Sequence, residues 1–424
     1  MRLLFLFAML FPAFNHDQVQ ASWQMDVIKG AKALDWSNKP INVSELEELA
    51  SILKAYDLQL EEINLTRTGL TSKGLEHLAF GLHGNKTVTK LVLTGAILEE
   101  EGLSYLAIIL QSSRVERLNL GWVTFPPNPS DGFGAFIKAI EQATSLKELI
   151  LSYQNFNSTI FKAIEQNKSI LTLDLSRHLF WFEEKEKEDA AAKLLFSLIK
   201  NKPIKELRLE KLVFKANTVK EIFQNLKKSN VQFLYFGRNE IGKVAGGALV
   251  DFLKNKNLIL LDLKKTSIGS NKEIFTSFTN ILKTNKTLQQ LDLEDTKLTD
   301  EDAIALSNSL KSNRSLHSLN LSENPITVHG IVRIAAAIRQ NTCLKQVSFS
   351  KPVSIANQDQ AAYNTAIKDI KNFIRRNKVC LVLLFPSSKL EYPRTHTQSF
   401  FRTLPKDLVR LAIASLFELE DLKS

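Results

Sequence analysis

Cysteine is scarce in this 424-residue chain, and long apolar runs are missing. Two cysteines, Cys343 and Cys380, are too few for a disulfide framework, and their positions allow either one disulfide or two free thiols. The apolar run Leu3–Phe11 has nine residues and is too short to cross a bilayer. We therefore expect neither a disulfide-stabilised small fold nor a membrane span in the mature chain.

Catalytic signatures are also missing. The chain has no glycine-rich phosphate loop, no H-E-x-x-H, no C-x-x-C and no G-x-S-x-G motif. Its seven histidines are scattered and share no common spacing. We therefore expect no catalytic residues, no metal and no cofactor, and the sequence predicts that the protein is not an enzyme.

Basic residues outnumber acidic ones, which gives a net charge of +10 and a pI near 9.3. A charge of this size permits binding to nucleic acid or to an anionic membrane. The lysines, however, are spread along the chain and do not form a run. We expect no nucleic-acid partner.

What the sequence does contain is one phrase that occurs eleven times, with apolar residues at positions 1, 4 and 6. The first copy starts at Leu60 and the last at Leu344, and successive starts are 24 to 34 residues apart. Positions 4 and 6 alternate as in a short strand, and the residues that follow have the apolar spacing of a helix. A period of this size predicts stacked strand–helix units that share one core.

A further apolar residue extends the phrase to L-x-x-L-x-L-x-x-(N/T)-x-L, in which Asn239 and Asn324 hold the asparagine position. This line resembles the leucine-rich repeat, and a unit of about 28 residues with a full helix resembles its ribonuclease-inhibitor-like subtype. The resemblance implies an α/β fold: a leucine-rich-repeat solenoid (horseshoe) over residues 58–353, with parallel strands on the concave face and helices on the convex face.

Two polar positions of the repeat have predicted roles. Asn239 and its equivalents are expected to hydrogen-bond backbone groups where the chain leaves each strand. Asparagines near the ends of helices, such as Asn313, are expected to take the left-handed backbone that ends a helix.

The segments outside the repeats are predicted to be caps and tails. Residues 22–57 are expected to form an N-terminal helical cap, with a capping box at Ser44 and Glu47. Residues 354–390 are expected to form a C-terminal cap helix and a closing strand, because Val379, Val382 and Leu384 repeat the 1-4-6 spacing. Residues 391–424 are expected to form a helical tail.

Both ends carry features of export or recruitment. Residues 1–21 are a candidate signal peptide; the alternatives are a helix packed on the first repeat and an uncleaved anchor. Leu404–Phe417 resembles the first helix of an F-box, the adaptor-binding module of some ubiquitin ligases, although Ala412 stands where that family has isoleucine. The residues from Glu418 onward are similar to the acidic tails that type IV secretion systems recognise in bacterial effectors.

The repeat register also predicts a binding surface. Positions 3, 5 and 7 face away from the core, and position 8 lies where the chain leaves the strand. Aromatic and arginine side chains at such positions are the types that most often anchor protein interfaces. The middle of this map, up to Lys265, is basic and aromatic, and the map becomes acidic from Asp292. We predict partner contacts on the concave face at Trp122, Tyr153, Arg177, Arg208, Tyr235, Arg238, Lys264, Asp292 and Glu294.

These features favour a monomeric, non-enzymatic scaffold that binds a protein partner. The chain resembles leucine-rich-repeat effectors of intracellular bacteria, which implies export and, after translocation, the host-cell cytoplasm. One alternative is a substrate-recruiting adaptor of a ubiquitin-ligase assembly. Another is a GTPase-regulating role, as in the leucine-rich Ran GTPase-activating proteins, although no residue here matches theirs.

Overall fold

The computed structural model describes residues 22–56, 58–123, 125, 131–153, 158–177, 185–212, 214–255 and 257–384. The predicted signal peptide, the F-box-like helix and the acidic tail all lie outside these residues. The chain divides into two compact units, Met1–Ile274 (unit 1) and Phe275–Ser424 (unit 2).

Short parallel strands alternate with helices throughout unit 1. The described strands are β1 (Ala33–Asp35), β2 (Glu62–Asn64), β3 (Lys90–Val92), β4 (Arg117–Asn119), β5 (Glu148–Ile150), β6 (Thr172–Asp174), β7 (Glu206–Arg208), β8 (Phe233–Tyr235) and β9 (Leu260–Asp262). The described helices are α1 (Ser22–Ile28), α2 (Val43–Ala55), α3 (Ser72–Leu82), α4 (Glu100–Ser112), α5 (Asp131–Gln142), α6 (Ser158–Gln166), α7 (Lys185–Asn201), α8 (Ala216–Leu226) and α9 (Lys243–Phe252).

Unit 2 has the same alternation. It begins within α10 (Lys272–Thr284) and continues through β10 (Gln290–Asp292), α11 (Asp300–Leu310), β11 (Ser318–Asn320), α12 (Val328–Gln340), β12 (Gln346–Ser348) and α13 (Gln360–Leu384).

Within each unit, every strand pairs in parallel with the next strand along the chain, and the repeat positions match. Ile63 lies opposite Leu91 in unit 1, and Leu291 lies opposite Leu319 in unit 2. In most strands the first and third residues are partly exposed and form a surface, which we call the strand face, while the middle residue points into the core. This geometry confirms the predicted α/β leucine-rich-repeat fold.

The core consists of the residues at positions 1, 4 and 6 together with one face of each helix. Leu60, Ile63 and Leu65 are each at most 1% exposed, and burying such a side chain contributes roughly 1.5–3 kcal/mol. Phenylalanines fill the space between strands and helices: the ring of Phe223 lies 4.8 Å from that of Phe236 and 5.9 Å from that of Phe252.

Polar side chains at the strand exits bind the backbone, as predicted. The Nδ2 of Asn239 donates to the carbonyls of Leu209 (2.7 Å) and Phe236 (2.8 Å), and its Oδ1 accepts from the N–H of Leu212 at 2.7 Å. Thr68 makes the shorter version of this contact, donating to the carbonyl of Leu65 at 2.9 Å. Each such bond satisfies backbone groups that the turn leaves buried.

The asparagines at the helix ends have a different role from the predicted one. Asn313 and its equivalents do not have a positive φ, and Asn341, the last such asparagine, has an extended backbone (φ −91°, ψ 126°). Instead, Asn341 donates from Nδ2 to the carbonyls of Leu310 and Asn313 in the preceding repeat, and accepts from the N–H of Leu344. These side chains therefore join the C-terminus of one helix to that of the preceding helix.

The N-terminal cap also contains a strand. β1 pairs with β2, and Leu34 lies opposite Ile63, so the sheet begins one repeat earlier than the sequence predicted. Ala31, Leu34 and Trp36 hold the 1-4-6 positions of this extra repeat. The capping box of α2 is formed by Asn42 and Glu45, and not by the predicted pair two residues later.

The predicted closing strand is wrong. The residues from Val379 to Leu384 form the last part of α13, a continuous helix of 25 residues. The 1-4-6 spacing also places positions 1 and 4 on one helical face, and no proline or glycine interrupts the segment. The backbone of Cys380 therefore lies in this helix, and Cys343 is a half-buried free thiol.

Candidate functional site

The third residue after each strand of unit 1 has a left-handed backbone, and we call these residues the exit column. Those other than glycine have φ values of 52° to 61°. The members of the column are Asn38, Arg67, Gly95, Trp122, Tyr153, Arg177, Lys211, Arg238 and Lys265. A left-handed backbone costs a non-glycine residue about 1–2 kcal/mol, so surrounding contacts must hold these residues in place.

Backbone hydrogen bonds between repeats provide those contacts. The N–H of Arg67 donates to the carbonyl of Thr94 at 2.8 Å, and the N–H of Trp122 donates to that of Ser152 at 2.8 Å. The N–H of Arg238 likewise donates to the carbonyl of Lys264 at 2.7 Å. Parallel pairing thus continues beyond the three-residue strands, and it sets the exit column at the strand spacing of roughly 4.8 Å.

Four members of the exit column form a cation–aromatic stack. The guanidinium carbon of Arg67 lies 5.0 Å from the ring centre of Trp122, which stacks on Tyr153 with centres 5.1 Å apart and an interplanar angle of 14°. The guanidinium carbon of Arg177 lies 4.9 Å from the ring centre of Tyr153, and the same side chain donates to its hydroxyl. Offset aromatic pairs and guanidinium–ring contacts of this kind are mutually attractive.

Gly95 makes this stack possible. It lies in the exit column between Arg67 and Trp122, has a φ of +78°, and a Cβ placed on it would lie 3.2 Å from Cγ of Arg67. Because Gly95 has no side chain, Arg67 extends across this repeat and reaches the indole of Trp122, two repeats away.

The stack is exposed although its rings are paired. Trp122 is 53% exposed and Tyr153 is 36% exposed. Arg67 and Tyr153 contact the indole, while Trp122 and Arg177 contact the phenol ring, so the ring faces are used within the stack. The ring edges and the guanidinium N–H groups remain available to a partner.

Arg208 and Tyr235, also predicted contact residues, lie together on the strand face. Arg208 lies 4.7 Å above the ring of Tyr235 and donates from Nε (2.9 Å) and Nη2 (2.6 Å) to the carboxylate of Glu206. Burial, together with the Glu206 carboxylate, raises the pKa of the Tyr235 phenol, which is therefore neutral at physiological pH. This pair is already satisfied within the protein.

Lys264 is satisfied in the same way. Its Nζ lies 2.8 Å from Oε1 of Glu210 and 2.9 Å from Oδ2 of Asp262. Although burial opposes the shift, the two carboxylates raise the pKa of Lys264. In contrast, Arg238, in the exit column, makes no ion pair within the described residues.

The two predicted acidic residues lie in unit 2 and share one partner. Nδ2 of Asn320 donates to Oδ1 of Asp292 at 3.1 Å and to Oε2 of Glu294 at 3.3 Å. The residues at the equivalent exit positions, Asp295 and Glu323, also have positive φ (48° and 57°). The exit positions after β10 and β11 are thus acidic, whereas most of those in unit 1 are basic or aromatic.

The structure brings some of the predicted contact residues together and leaves others apart. Trp122, Tyr153 and Arg177 come together in the stack, whereas Arg208 and Lys264 are bonded to nearby carboxylates. The predicted contact set did not contain Arg67 or its glycine neighbour. A glycine at position 8 of one repeat, between repeats with large residues there, is the signal that identifies them.

Other kinds of site are not evident in the described part of the chain. No cluster of three histidine, cysteine, aspartate or glutamate side chains there has the geometry to hold a metal ion. None of the helices described combines the length and the apolarity that crossing a bilayer requires. A cleft beside β1 contains Trp23 and Trp36, whose rings meet edge to face at 4.9 Å, but none of the predicted contact residues lines it.

Comparisons with known proteins found one family model and several solved structures to which the chain is similar. Residues 248–401 match the family model described as the TMOD/LMOD leucine-rich domain. Among solved structures, the chain is similar to the leucine-rich repeat-containing protein LegL7 from Legionella pneumophila, with 13% identity over 80% of this chain and 98% of that one (TM-score 0.44). It is also similar to the tropomodulin C-terminal domain of Caenorhabditis elegans, with 16% identity over 46% of this chain and 96% of that one (TM-score 0.30). A third similarity is to leiomodin-1 actin-binding site 2, with 23% identity over 32% of this chain and 90% of that one (TM-score 0.28).

Proposed function

Because both units have the leucine-rich-repeat fold, we propose that this protein is a non-enzymatic scaffold that binds a protein partner on the strand face and exit column of unit 1. The observation that carries the proposal is the exposed cation–aromatic stack. Tryptophan, tyrosine and arginine are the side chains that contribute most to protein interfaces. Here four of them lie side by side, already ordered, so little conformational entropy is lost when a partner binds.

The rest of the strand face supports binding and not chemistry. Its charged side chains are largely paired with each other: Nζ of Lys90 lies 2.6 Å from Glu62, and Nε of Arg117 lies 3.1 Å from Glu148. Such pairs are positioned by the register of neighbouring strands. They form a polar, satisfied surface around the stack, as the rim of a protein interface does.

A photo-crosslinking experiment tests this proposal. Benzoylphenylalanine is placed at Ile150, a half-exposed strand-face position in the same repeat as Tyr153, or at Phe80, which is 63% exposed on α3. After irradiation in eukaryotic cell lysate, we expect a discrete crosslinked protein from position 150 and not from position 80. The double variant Trp122→Ala/Tyr153→Ala should remove this product while leaving thermal unfolding nearly unchanged.

Two results would contradict the proposal. One is a crosslinked product that persists at full yield in the double variant. The other is a product that forms equally from both crosslinker positions. Either result would place binding elsewhere on the molecule.

We further propose that the scaffold is an exported effector that acts on host proteins. The support comes from the sequence: the apolar run Leu3–Phe11 and the acidic tail from Glu418. Fusing residues 1–40 to a phosphatase that is active only after export should give activity, and Leu6→Arg should abolish it by interrupting the apolar run. An inactive fusion, or one unaffected by the substitution, would refute the role of this segment.

A further inference from the structure

The exit column of unit 1 contains cations that have no counter-charge within the described part of the chain. Among the described residues, Arg67, Arg177, Lys211 and Arg238 form no ion pair with a carboxylate. The column itself has no acidic member. On the adjoining strand face, in contrast, Arg208 has its carboxylate partner. The unpaired cations are therefore confined to one edge of this surface.

Three of these cations occupy consecutive repeats. Arg177, Lys211 and Arg238 follow β6, β7 and β8, and their backbones are held by hydrogen bonds of 2.7 Å, 3.0 Å and 2.7 Å to the next repeat. They form a basic ridge with a spacing of roughly 4.8 Å. The stack of Trp122 and Tyr153 continues this line toward Arg67. The neighbouring carboxylates of Glu206 and Glu210 are occupied by ion pairs and do not neutralise the ridge.

The aromatic members limit what kind of anion fits. Single-stranded nucleic acids bind basic grooves mainly by stacking bases on exposed aromatic faces. The faces of Trp122 and Tyr153 are occupied by each other and by the two flanking guanidinium groups. Their edges carry partial positive charge and attract carboxylate and carbonyl oxygens. An extended acidic peptide supplies both kinds of oxygen without needing a stacking site.

We propose that the exit column of unit 1 binds an acidic, extended segment of the partner protein, lying across the repeats from Arg238 toward Arg67. This inference rests on the proposed scaffold function and specifies the chemistry of its partner. The segment's carboxylates pair with the basic ridge, and its backbone and aliphatic groups contact the ring edges of the stack.

The test uses a fluorescein-labelled peptide of alternating glutamate and serine that is about as long as the column, with fluorescence anisotropy of the full chain as the measurement. A second peptide carries glutamine in place of glutamate, and a single-stranded oligonucleotide of similar length serves as a third probe. We expect the glutamate peptide to bind, to bind more weakly at higher salt, and to bind at least about 10-fold more tightly than the glutamine peptide.

Two triple variants remove the same charge. Arg177→Gln/Lys211→Gln/Arg238→Gln neutralises the ridge, and we expect it to weaken glutamate-peptide binding about 10-fold. The matched control neutralises Lys73, Lys243 and Lys254, which lie on or beside helices, away from the strand face, and each of which has a carboxylate partner. This control should change binding less than about 2-fold, because the peptide does not compete for these side chains.

The inference is overturned if the two peptides bind equally or if both triple variants lose equal affinity. It is also overturned if the oligonucleotide binds more tightly than the peptide and depends on the same ridge. Competition in the crosslinking experiment separates the two proposals. If the product from position 150 requires Trp122 but is not displaced by the glutamate peptide, the scaffold function stands and the acidic-segment inference fails.

Discussion

The substitution Asn239→Ala tests whether buried polar side chains hold the strand exits. Asn239 is 2% exposed, and its side chain bonds the N–H of Leu212 and the carbonyls of Leu209 and Phe236. Alanine replaces none of these bonds. At least two backbone groups, the Leu212 N–H and the Leu209 carbonyl, then lose this partner in a buried place.

The expected cost follows from that count. A buried backbone group without a partner costs about 1–3 kcal/mol, so two such groups lower the free energy of unfolding by about 2–6 kcal/mol. The matched control is Asn225→Ala, because Asn225 is only half-buried on α8 and, among the described residues, its side chain bonds only the carbonyl of Glu221. This control should change the free energy of unfolding by less than about 0.5 kcal/mol.

Urea denaturation and amide hydrogen exchange together provide the assay. Global unfolding measures the total cost, while exchange at Leu212 reports on the bond that Asn239 accepts. We expect Asn239→Ala to lower the urea midpoint and to accelerate exchange at Leu212 well before global unfolding. If the midpoint and the Leu212 exchange rate both match the wild type, the exit side chains do not stabilise the repeat and the reasoning is wrong.

Three further perturbations have outcomes that the structure predicts. Gly95→Lys forces a side chain into a left-handed site beside Arg67, so it should lower the free energy of unfolding by about 1–2 kcal/mol and reduce crosslinking from position 150. Arg67→Ala should reduce crosslinking without this loss of stability. If crosslinking is unchanged in both variants, the stack does not contribute to binding. Burial lowers the pKa of Lys202, which donates to the carbonyl of Asn167, from 10.5 to about 8. The unfolded chain thus binds more protons between these values, and the wild type should gain up to about 3 kcal/mol relative to Lys202→Met as the pH rises through that window; a pH-independent difference in chemical denaturation would refute this. Leu291→Asp buries an unpaired charge at a site that is 2% exposed, so circular dichroism should show loss of structure that Leu291→Met does not cause.

The sequence was sufficient to predict the strands whose inward positions carry leucine, isoleucine or valine. Ile63, Leu91 and Leu118 are the middle residues of their strands and are fully buried. It missed β1, where Ala31 and Trp36 replace the expected leucines. A strand of three residues is too short to be predicted from its own sequence pattern. It forms because it can pair with the edge of the sheet at β2, and the sequence alone does not show this pairing.

The prediction of a closing strand was wrong for a related reason. The 1-4-6 spacing that begins at Val379 is also compatible with a helix, and helix formation is cooperative once a long helix has begun. The 1-4-6 phrase is informative only when a turn separates it from the preceding helix. Polar turns provide that separation in the repeats that the sequence identified, as Asn313 does before Leu316.

The spacing of the repeats also predicted which side chains point away from the core, but it did not predict which of them contact each other. The sequence predicted Arg208 and Arg238 equally as contact residues, yet Arg208 is bonded to Glu206, whereas Arg238 forms no ion pair with any residue that the structure describes. The difference depends on the backbone. A residue on the strand is held beside the residues of adjacent strands, whereas a residue with positive φ after the strand is directed away from them.

The left-handed backbone of the exit column raises the question of why most of its residues are not glycine. Glycine adopts a positive φ at almost no cost, and Gly95 shows that the repeat accepts it in this position. Lys211 and Arg238 hold the same conformation at a cost of about 1–2 kcal/mol each, and neither forms an ion pair within the described residues to offset that cost. Folding alone would be served better by glycine. The side chains at these positions are therefore best explained by an interaction outside the chain, which is the role that the acidic-peptide experiment tests.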